Sequence, residues 1–336
     1  MPPAEAEADR LTQHAAACLI YGRVGDAMGT PTENLEPEEI ERRFGWVDSF
    51  EGDGTDDSIM ADLLADALLR TGGYATADDW ARSCHEQRSR IFGDKESKFF
   101  SSVTHSLRKI RLGYLPRTVA LGNMASSSSA MAIAPVGIVN AGHPRAAAAQ
   151  AAEIASFFHI HDVGFCQDAA AAIAAAIAEA LAPEATIESV LAASRAFVKP
   201  WSGSEMLGLI DKAIGVAREN DYKAFRAIYH REFRCPIACD SRETIPATLA
   251  LCLLAQGDPE RAVELGANFG RDSDTIACMA GYICGALSGR AATPKQRIPE
   301  TISGPTANLA AALVATGREK AAGERASWGR ALGAAG

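Results

Sequence analysis

The sequence has no long apolar run and no block of basic residues, and each absence argues against a class of protein. No segment reaches the ~18 uninterrupted apolar residues that a membrane-spanning helix needs. The net charge is −9, with 33 Lys and Arg against 42 Asp and Glu, whereas binding to a phosphate backbone needs a basic surface. We therefore expect neither a membrane nor a nucleic acid among the partners.

Aromatic residues and paired cysteines are also scarce. Aromatics make up 7% of the chain, which together with the frequent alanines favours tightly packed helices over sheets. The eight cysteines are scattered, and Cys235 and Cys239 lack the second thiol pair of a structural zinc site. Reduced thiols explain them, and residues 1–5 lack the apolar core of a signal peptide, so we expect a cytoplasmic protein.

Helical patterns fill most of the chain, and neither strand alternation nor an internal repeat interrupts them. The sequence predicts an all-α fold, one compact multi-helix domain over residues 11–319. We expect residues 1–10 to be disordered and residues 320–336 to form a frayed tail. Ala277, Gly281 and Gly285 stand four residues apart, so a neighbouring helix can pack close to their backbone.

Two short acidic motifs stand far apart in the chain, GTDDS at residues 54–58 and RDSDT at residues 271–275, and each contains two Asp, one Ser and one Thr. Each runs into an apolar, helix-periodic stretch, where aspartate is common as an N-cap or in the first turn. Helix capping is therefore one interpretation, although one cap needs only one such residue. Hard divalent cations prefer carboxylate and hydroxyl ligands, so a metal site built from both motifs is the alternative.

A third motif, GDAMGTPTE at residues 25–33, follows a helix rich in small residues. Its Asp26 is interpreted as a buried residue that stabilises the turn. The three motifs, in this order, resemble the ADP-ribosylglycohydrolase family, and within it the dinitrogenase-reductase-activating glycohydrolase type. That family has an early Gly-Asp-Ala-x-Gly-x-x-x-Glu, then Thr-Asp-Asp-Ser/Thr, then a late Asp-x-Asp-Thr-Ile-Ala. The resemblance extends from about Leu11 to about Gly289.

The resemblance implies an all-α fold with a central cleft that holds two divalent cations, Mg²⁺ or Mn²⁺. The reaction implied is hydrolysis of an N- or O-glycosidic bond at ribose C1″, with release of ADP-ribose from a modified side chain or small molecule. Such cations can orient the ribose hydroxyls and lower the pKa of water. Glu33 or Asp57 could then accept the proton of the attacking water. The metal ligands carried over are Thr55, Asp56, Asp57, Asp272, Asp274 and Thr275.

The substrate-binding residues are less clearly marked. The loop at residues 126–129 is all serine and precedes a helical pattern, so it either cradles a phosphate or is a plain Ser-rich cap or loop. The family has an Arg after the Met of this loop, and Ala132 stands there instead, so a smaller riboside is the alternative substrate. The residues predicted to contact substrate are Ser127, Ser128, Ser129, His159, His161, Phe269 and Gly270.

Several of these residues have a structural alternative. An isolated histidine such as His159 or His161 is more often structural, and Phe269 could stack on a base or lie in the core. The rival function is a non-catalytic member of the fold that binds ADP-ribose or has a structural role. The expected partner is an ADP-ribosylated protein or a small riboside.

Overall fold

The computed structural model describes residues 3–50, 52, 54–94, 96–292 and 299–333, which fold into helices and the turns between them. No strand occurs within these residues, which confirms the predicted all-α fold in a single domain. Short 3-10 helices lie at Thr30–Thr32, Arg88–Arg90, Glu96–Lys98 and His161–Val163. The α-helices are α1 (Pro3–Gly29), α2 (Pro37–Phe44), α3 (Asp56–Arg70), α4 (Ala77–Glu86), α5 (Ser101–Arg111), α6 (Pro116–Val119), α7 (Ala134–Val139), α8 (Pro144–Ala155), α9 (Phe165–Ala180), α10 (Ile187–Ala196), α11 (Ser204–Glu219), α12 (Tyr222–Glu232), α13 (Ser241–Leu254), α14 (Pro259–Ala267), α15 (Ser273–Ser288) and α16 (Glu300–Ala331).

Helices α1 and α15 form the closest pair in the fold. A methyl group added at Gly281 of α15 would overlap the carbonyl oxygen of Tyr21, and one added at Gly25 of α1 would overlap that of Ala277. The two backbones therefore touch, as the spacing of small residues predicts. Because Gly29 at the end of α1 lies against the backbone of Asp274, this packing places the motif at residues 25–33 beside the acidic motif at residues 271–275.

Substituting Gly281 with Ala should force α1 and α15 apart. Overpacking of this kind costs about 1–3 kcal/mol of unfolding free energy. Gly215 of α11 provides the control, since a methyl group there meets nothing within 4 Å, and Gly215→Ala should be neutral or stabilise the helix by up to about 1 kcal/mol. Thermal unfolding followed by circular dichroism measures both variants. Equal melting temperatures for the two would contradict the close packing.

The last helix differs from the frayed tail expected over residues 320–336. Helix α16 continues to Ala331, and side chains from distant parts of the chain hold it. The Lys320 Nζ donates to Asn140 Oδ1 at 2.6 Å and lies 5.0 Å from the centre of the Tyr74 ring. The Tyr74 hydroxyl in turn donates to Glu324 at 3.2 Å. At the other end, α1 already begins at Pro3, inside the segment predicted to be disordered.

One apolar stretch among the described residues is His161–Ala180, which includes α9. It is long and apolar enough to cross a membrane by length and composition, with a mean hydropathy of 1.3 over its most apolar window. However, 78% of that window is buried inside the fold. The burial is that of a core helix in a soluble domain, packed between α8, α10 and α7.

Candidate metal centre

The two acidic motifs lie at the starts of α3 and α15, and their aspartates are buried. Neither N-cap residue, Thr55 for α3 or Asp272 for α15, accepts a hydrogen bond from its helix through its side chain. Other helices of the chain do have such caps, at Asp221, Asp240 and Asp258. The chain thus uses aspartate as a cap elsewhere, and capping does not explain these two motifs.

The carboxylates of the motifs converge. One oxygen each of Asp26, Asp57 and Asp274 lie within 4.8 Å of one another, as do one each of Glu33, Asp272 and Asp274. Asp274 belongs to both groups. In the described part of the chain, Asp57 Oδ1 and Asp274 Oδ1 are buried without a hydrogen-bond partner. A buried carboxylate oxygen is costly unless it is paired, so this set of oxygen donors fits divalent cations.

The cluster holds its protons tightly as long as no cation neutralises it. Burial, reinforced by Asp26, raises the pKa of Asp56 to about 8, and burial, reinforced by Glu33, raises the pKa of Asp272 to about 7. Burial first and neighbouring carboxylates second raise the pKa of Asp57 and Asp274 well above its usual range. A bound cation lowers these pKa values because it stabilises the charged form of each carboxylate.

Asp26 holds the start of α3 through hydrogen bonds to its carboxylate. Its Oδ1 accepts from the Thr55 amide and hydroxyl, both at 2.8 Å, and its Oδ2 accepts from the Ser58 hydroxyl at 2.6 Å and amide at 3.2 Å. A carboxylate offers about four lone-pair sites, and these four donors fill them. Asp26 therefore orients Thr55 and the first turn of α3. It is buried as expected, but it lies within α1 and not in a turn.

The sequence analysis assigned no role to Arg271, which lies directly before Asp272. Its Nε and Nη2 donate to the two Glu243 carboxylate oxygens at 2.6 and 2.7 Å. Its backbone has a left-handed φ of 64° and pairs with the segment after Glu33, through Asn34 N to Arg271 O at 2.6 Å and Arg271 N to Leu35 O at 2.8 Å. The buried ion pair thus fixes the loop that presents Asp272.

Glu243→Gln should destabilise the protein and weaken its binding of divalent cations. The amide keeps the shape of Glu243 but removes the charge facing Arg271, and a hydrogen bond to a charged group contributes about 1.5–3 kcal/mol. Glu232→Gln is the control, because Glu232 pairs at the surface with Lys212 and Arg231, where ion pairs contribute about 0–1 kcal/mol. Urea unfolding and Mn²⁺ titration calorimetry compare the two, and equal losses would contradict a role for Arg271 in placing Asp272.

A cavity of about 250 Å³ opens in front of the cluster. The acidic part of its lining comes from Glu33, Asp56, Asp272 and Asp274, and Thr275 lies beside them. Asp57 is not among the lining residues. The apolar part of its lining, called the apolar wall below, comes from Phe99, Phe100, Met131 and Ile237, for which no site role was predicted.

The residues predicted to contact substrate fall into two groups. Ser127 and Ser128 line the cavity. Ser129 and His159 are fully buried behind it, where the Ser129 hydroxyl and His159 Nδ1 are 2.9 Å apart. Burial lowers the pKa of His159 to about 3, so the ring is neutral. His161 is exposed on a 3-10 helix outside the lining.

Phe269 and Gly270 also lie outside the cavity lining. Phe269 is buried among Phe225, Tyr229 and His230, with ring centres 4.8–6.1 Å away, so it has the core position that was its alternative interpretation. Gly270 has a left-handed φ of 92°, and a methyl group there would come within 2.9 Å of the Leu35 carbonyl oxygen. Its role is to let the backbone turn into the second acidic motif.

Comparisons with known proteins agree with this architecture. A family model, ADP-ribosylglycohydrolase, matches residues 7–323, and the chain belongs to that family. The Escherichia coli protein YegU, described as uncharacterized, is 30% identical, over 80% of this chain and 86% of its own. An uncharacterized protein of Archaeoglobus fulgidus is 29% identical over 36% of this chain and 41% of its own. A solved structure described as an ADP-ribosylglycohydrolase-related protein complex shares the fold, with a TM-score of 0.66 and 20% identity over 92% of this chain and 99% of its own.

Proposed function

We propose that this chain is a cytoplasmic, metal-dependent hydrolase that cleaves an N- or O-glycosidic bond at C1″ of a ribosyl group. The substrate is an ADP-ribosylated side chain or small molecule, or a smaller riboside. The observation that carries the proposal is the pair of carboxylate groups that share Asp274, one of which, Glu33 with Asp272 and Asp274, lines a cavity. Membership of the ADP-ribosylglycohydrolase family supports the reaction class.

Two divalent cations, Mg²⁺ or Mn²⁺, suit the donor set. When bound, they would supply positive charge that orients the ribose hydroxyls and lowers the pKa of water. The residues proposed to hold them are Thr55, Asp56, Asp57, Asp272, Asp274 and Thr275. The two unpartnered buried oxygens, Asp57 Oδ1 and Asp274 Oδ1, are the atoms that most need such a partner.

Glu33 is the better placed of the two candidate bases. It lines the cavity, and Asn34 Nδ2 donates to its Oε1 at 3.0 Å, which leaves Oε2 to accept a proton. Burial raises the pKa of Glu33, and Lys98 opposes that shift. Water attacks C1″ as the glycosidic bond breaks, and nearby carboxylates stabilise the oxocarbenium-like sugar.

A substrate panel tests the proposal. Metal-stripped protein is reloaded with Mg²⁺ or Mn²⁺ and offered ADP-ribosyl-arginine, ADP-ribosyl-serine, O-acetyl-ADP-ribose and simple N-ribosides, with products read by mass spectrometry. We expect hydrolysis of at least one class that EDTA abolishes and that Glu33→Gln reduces. Hydrolysis that persists in EDTA would refute the metal dependence. Bound metal without any hydrolysis would instead favour the non-catalytic, ADP-ribose-binding alternative.

A further inference from the structure

The serine loop uses its hydrogen-bond donors inside the protein. Five side-chain hydrogen bonds of 2.8–3.0 Å join the serines 102, 126, 128 and 129 to one another and to His159. The available donors are the four hydroxyls and the single N–H of a neutral imidazole. Each of these five side-chain donors is used in one of the five hydrogen bonds, so none of them is left to donate to a phosphate.

Ser127 is occupied in the same way. The Ser127 hydroxyl donates to Asp272 Oδ2 at 3.2 Å, and the Ser127 amide donates to the Cys239 carbonyl at 2.7 Å. Helix α7 begins only at Ala134 and has six residues, so the serines do not form its N-terminus. Ala132, at the position where the family pattern has Arg, is fully buried. The loop therefore supports the metal ligands and is not a phosphate cradle.

The charge and size of the cavity also argue against binding of a diphosphate. Lys98 is the single cationic residue among the described residues of the lining, against four carboxylates. Diphosphates are normally held by several Arg or Lys side chains or by a helix N-terminus. The volume of about 250 Å³ is below the roughly 300–1,000 Å³ of pockets that enclose larger ligands. It suits a pentose and one small ring.

The apolar wall indicates what kind of group the substrate carries besides its ribose. Phe100, Met131 and Ile237 are apolar residues of the cavity lining, and a flat, weakly polar ring could lie against them. We infer that the substrate of this site is a nucleoside-like N-riboside without a diphosphate, an inference that rests on the proposed function and narrows its substrate class.

Binding measurements with matched ligands test the inference. Protein loaded with Mn²⁺ is titrated by calorimetry with ribose, ribose 5-phosphate and ADP-ribose, and its metal content is measured on the same sample. We expect the Kd of ADP-ribose to lie within about threefold of the Kd of ribose, since the cavity offers no charge-assisted hydrogen bonds to the diphosphate. Binding of ADP-ribose that is about 100-fold tighter or more would overturn the inference and leave the proposed function standing. Protein that retains no metal, or that binds none of the three, would overturn both.

Lys98 allows a second test, because its exposed side chain can change without disturbing the fold. Lys98→Met removes the charge, and Lys98→Arg is the matched variant that keeps it. We expect the ratio of ADP-ribose to ribose affinity to stay within about twofold in both. A tenfold or larger fall in that ratio for Lys98→Met, restored in Lys98→Arg, would show that a phosphate binds there and would overturn the inference.

A paired comparison of turnover completes the design. Nicotinamide riboside and NAD have the same scissile bond and differ in the 5′ extension. We expect the riboside to be hydrolysed about tenfold more efficiently, since the extension finds no partner in the cavity. A preference for NAD would contradict the inference.

Discussion

Asp274→Asn should abolish turnover while the protein stays helical. Asp274 is the residue that both carboxylate groups share, and its Oδ1 is buried without a partner. Replacing the carboxylate by an amide removes charge from both cation sites at once. Loss of such an electrostatic contribution costs about 10²-fold or more in kcat. Turnover of any substrate that the parent cleaves, together with circular dichroism, measures the outcome.

The same substitution should stabilise the metal-free protein. Burial and neighbouring carboxylates disfavour the charged form of Asp274, so a neutral side chain of the same shape relieves repulsion. In EDTA we therefore expect Asp274→Asn to melt above the parent. Asp162→Asn, on an exposed 3-10 helix, is the control and should change neither property. Near-parent turnover of Asp274→Asn would refute the assignment of Asp274 as a ligand.

The parts of this structure that depend on local pattern could be predicted from the sequence. Helical periodicity predicted the all-α fold, and the spacing of small residues predicted that a neighbouring helix packs close to α15, because both follow from spacing along one helix. That this neighbour is α1 was not predicted. Asp57 and Asp274, from acidic motifs far apart in the chain, converge as a metal site built from both motifs requires. The converging groups also include Asp26 and Glu33, which were not predicted as ligands, and do not include Asp56.

The parts that depend on distant partners could not be predicted. The four donors that fill the Asp26 carboxylate come from Thr55 and Ser58, and only the fold brings them together. Arg271 meets Glu243 across 28 residues, and Lys320 meets Asn140 across 180. Neither contact produces a recognisable pattern in the local sequence. The contact of Lys320 could therefore not be predicted, and the last helix was expected to fray.

The same limit applies to the predicted substrate contacts. A histidine between two helices can face a cleft or the core, and its sequence neighbours are the same in both cases. His159 faces Ser126 and Ser129, and Phe269 faces other aromatic rings. Conversely, Phe100 and Ile237 stand at the cavity in segments whose local pattern is that of ordinary loops.

Removing the divalent cations should lower the melting temperature, and more so at alkaline pH. A ligand at ~100 times its Kd stabilises a protein by about 2.7 kcal/mol per site, so two sites shift the melting temperature by roughly 10 °C or more. Without cations, the aspartates of both motifs repel one another at the starts of α3 and α15. Melting in EDTA, compared with melting after addition of Mg²⁺ or Mn²⁺, measures this difference.

The direction of the pH dependence follows from the raised pKa values. Folding raises the pKa of Asp56 from its usual 3.8 to about 8 and that of Asp272 from 3.8 to about 7. The folded metal-free protein therefore binds more protons than the unfolded chain across this range. The contribution of these two protonated carboxyls to the free energy of unfolding is fully present below pH 3.8 and is lost as the pH rises through 7 and 8.

Bound cations replace the protons and remove the free-energy cost of ionising these carboxyls in the folded protein. The gap between metal-loaded and EDTA-treated melting temperatures should thus be wider at about pH 8 than at about pH 5.5. An unchanged melting curve in stripped protein at the higher pH, or a wider gap at the lower one, would contradict a cation bound by these carboxylates.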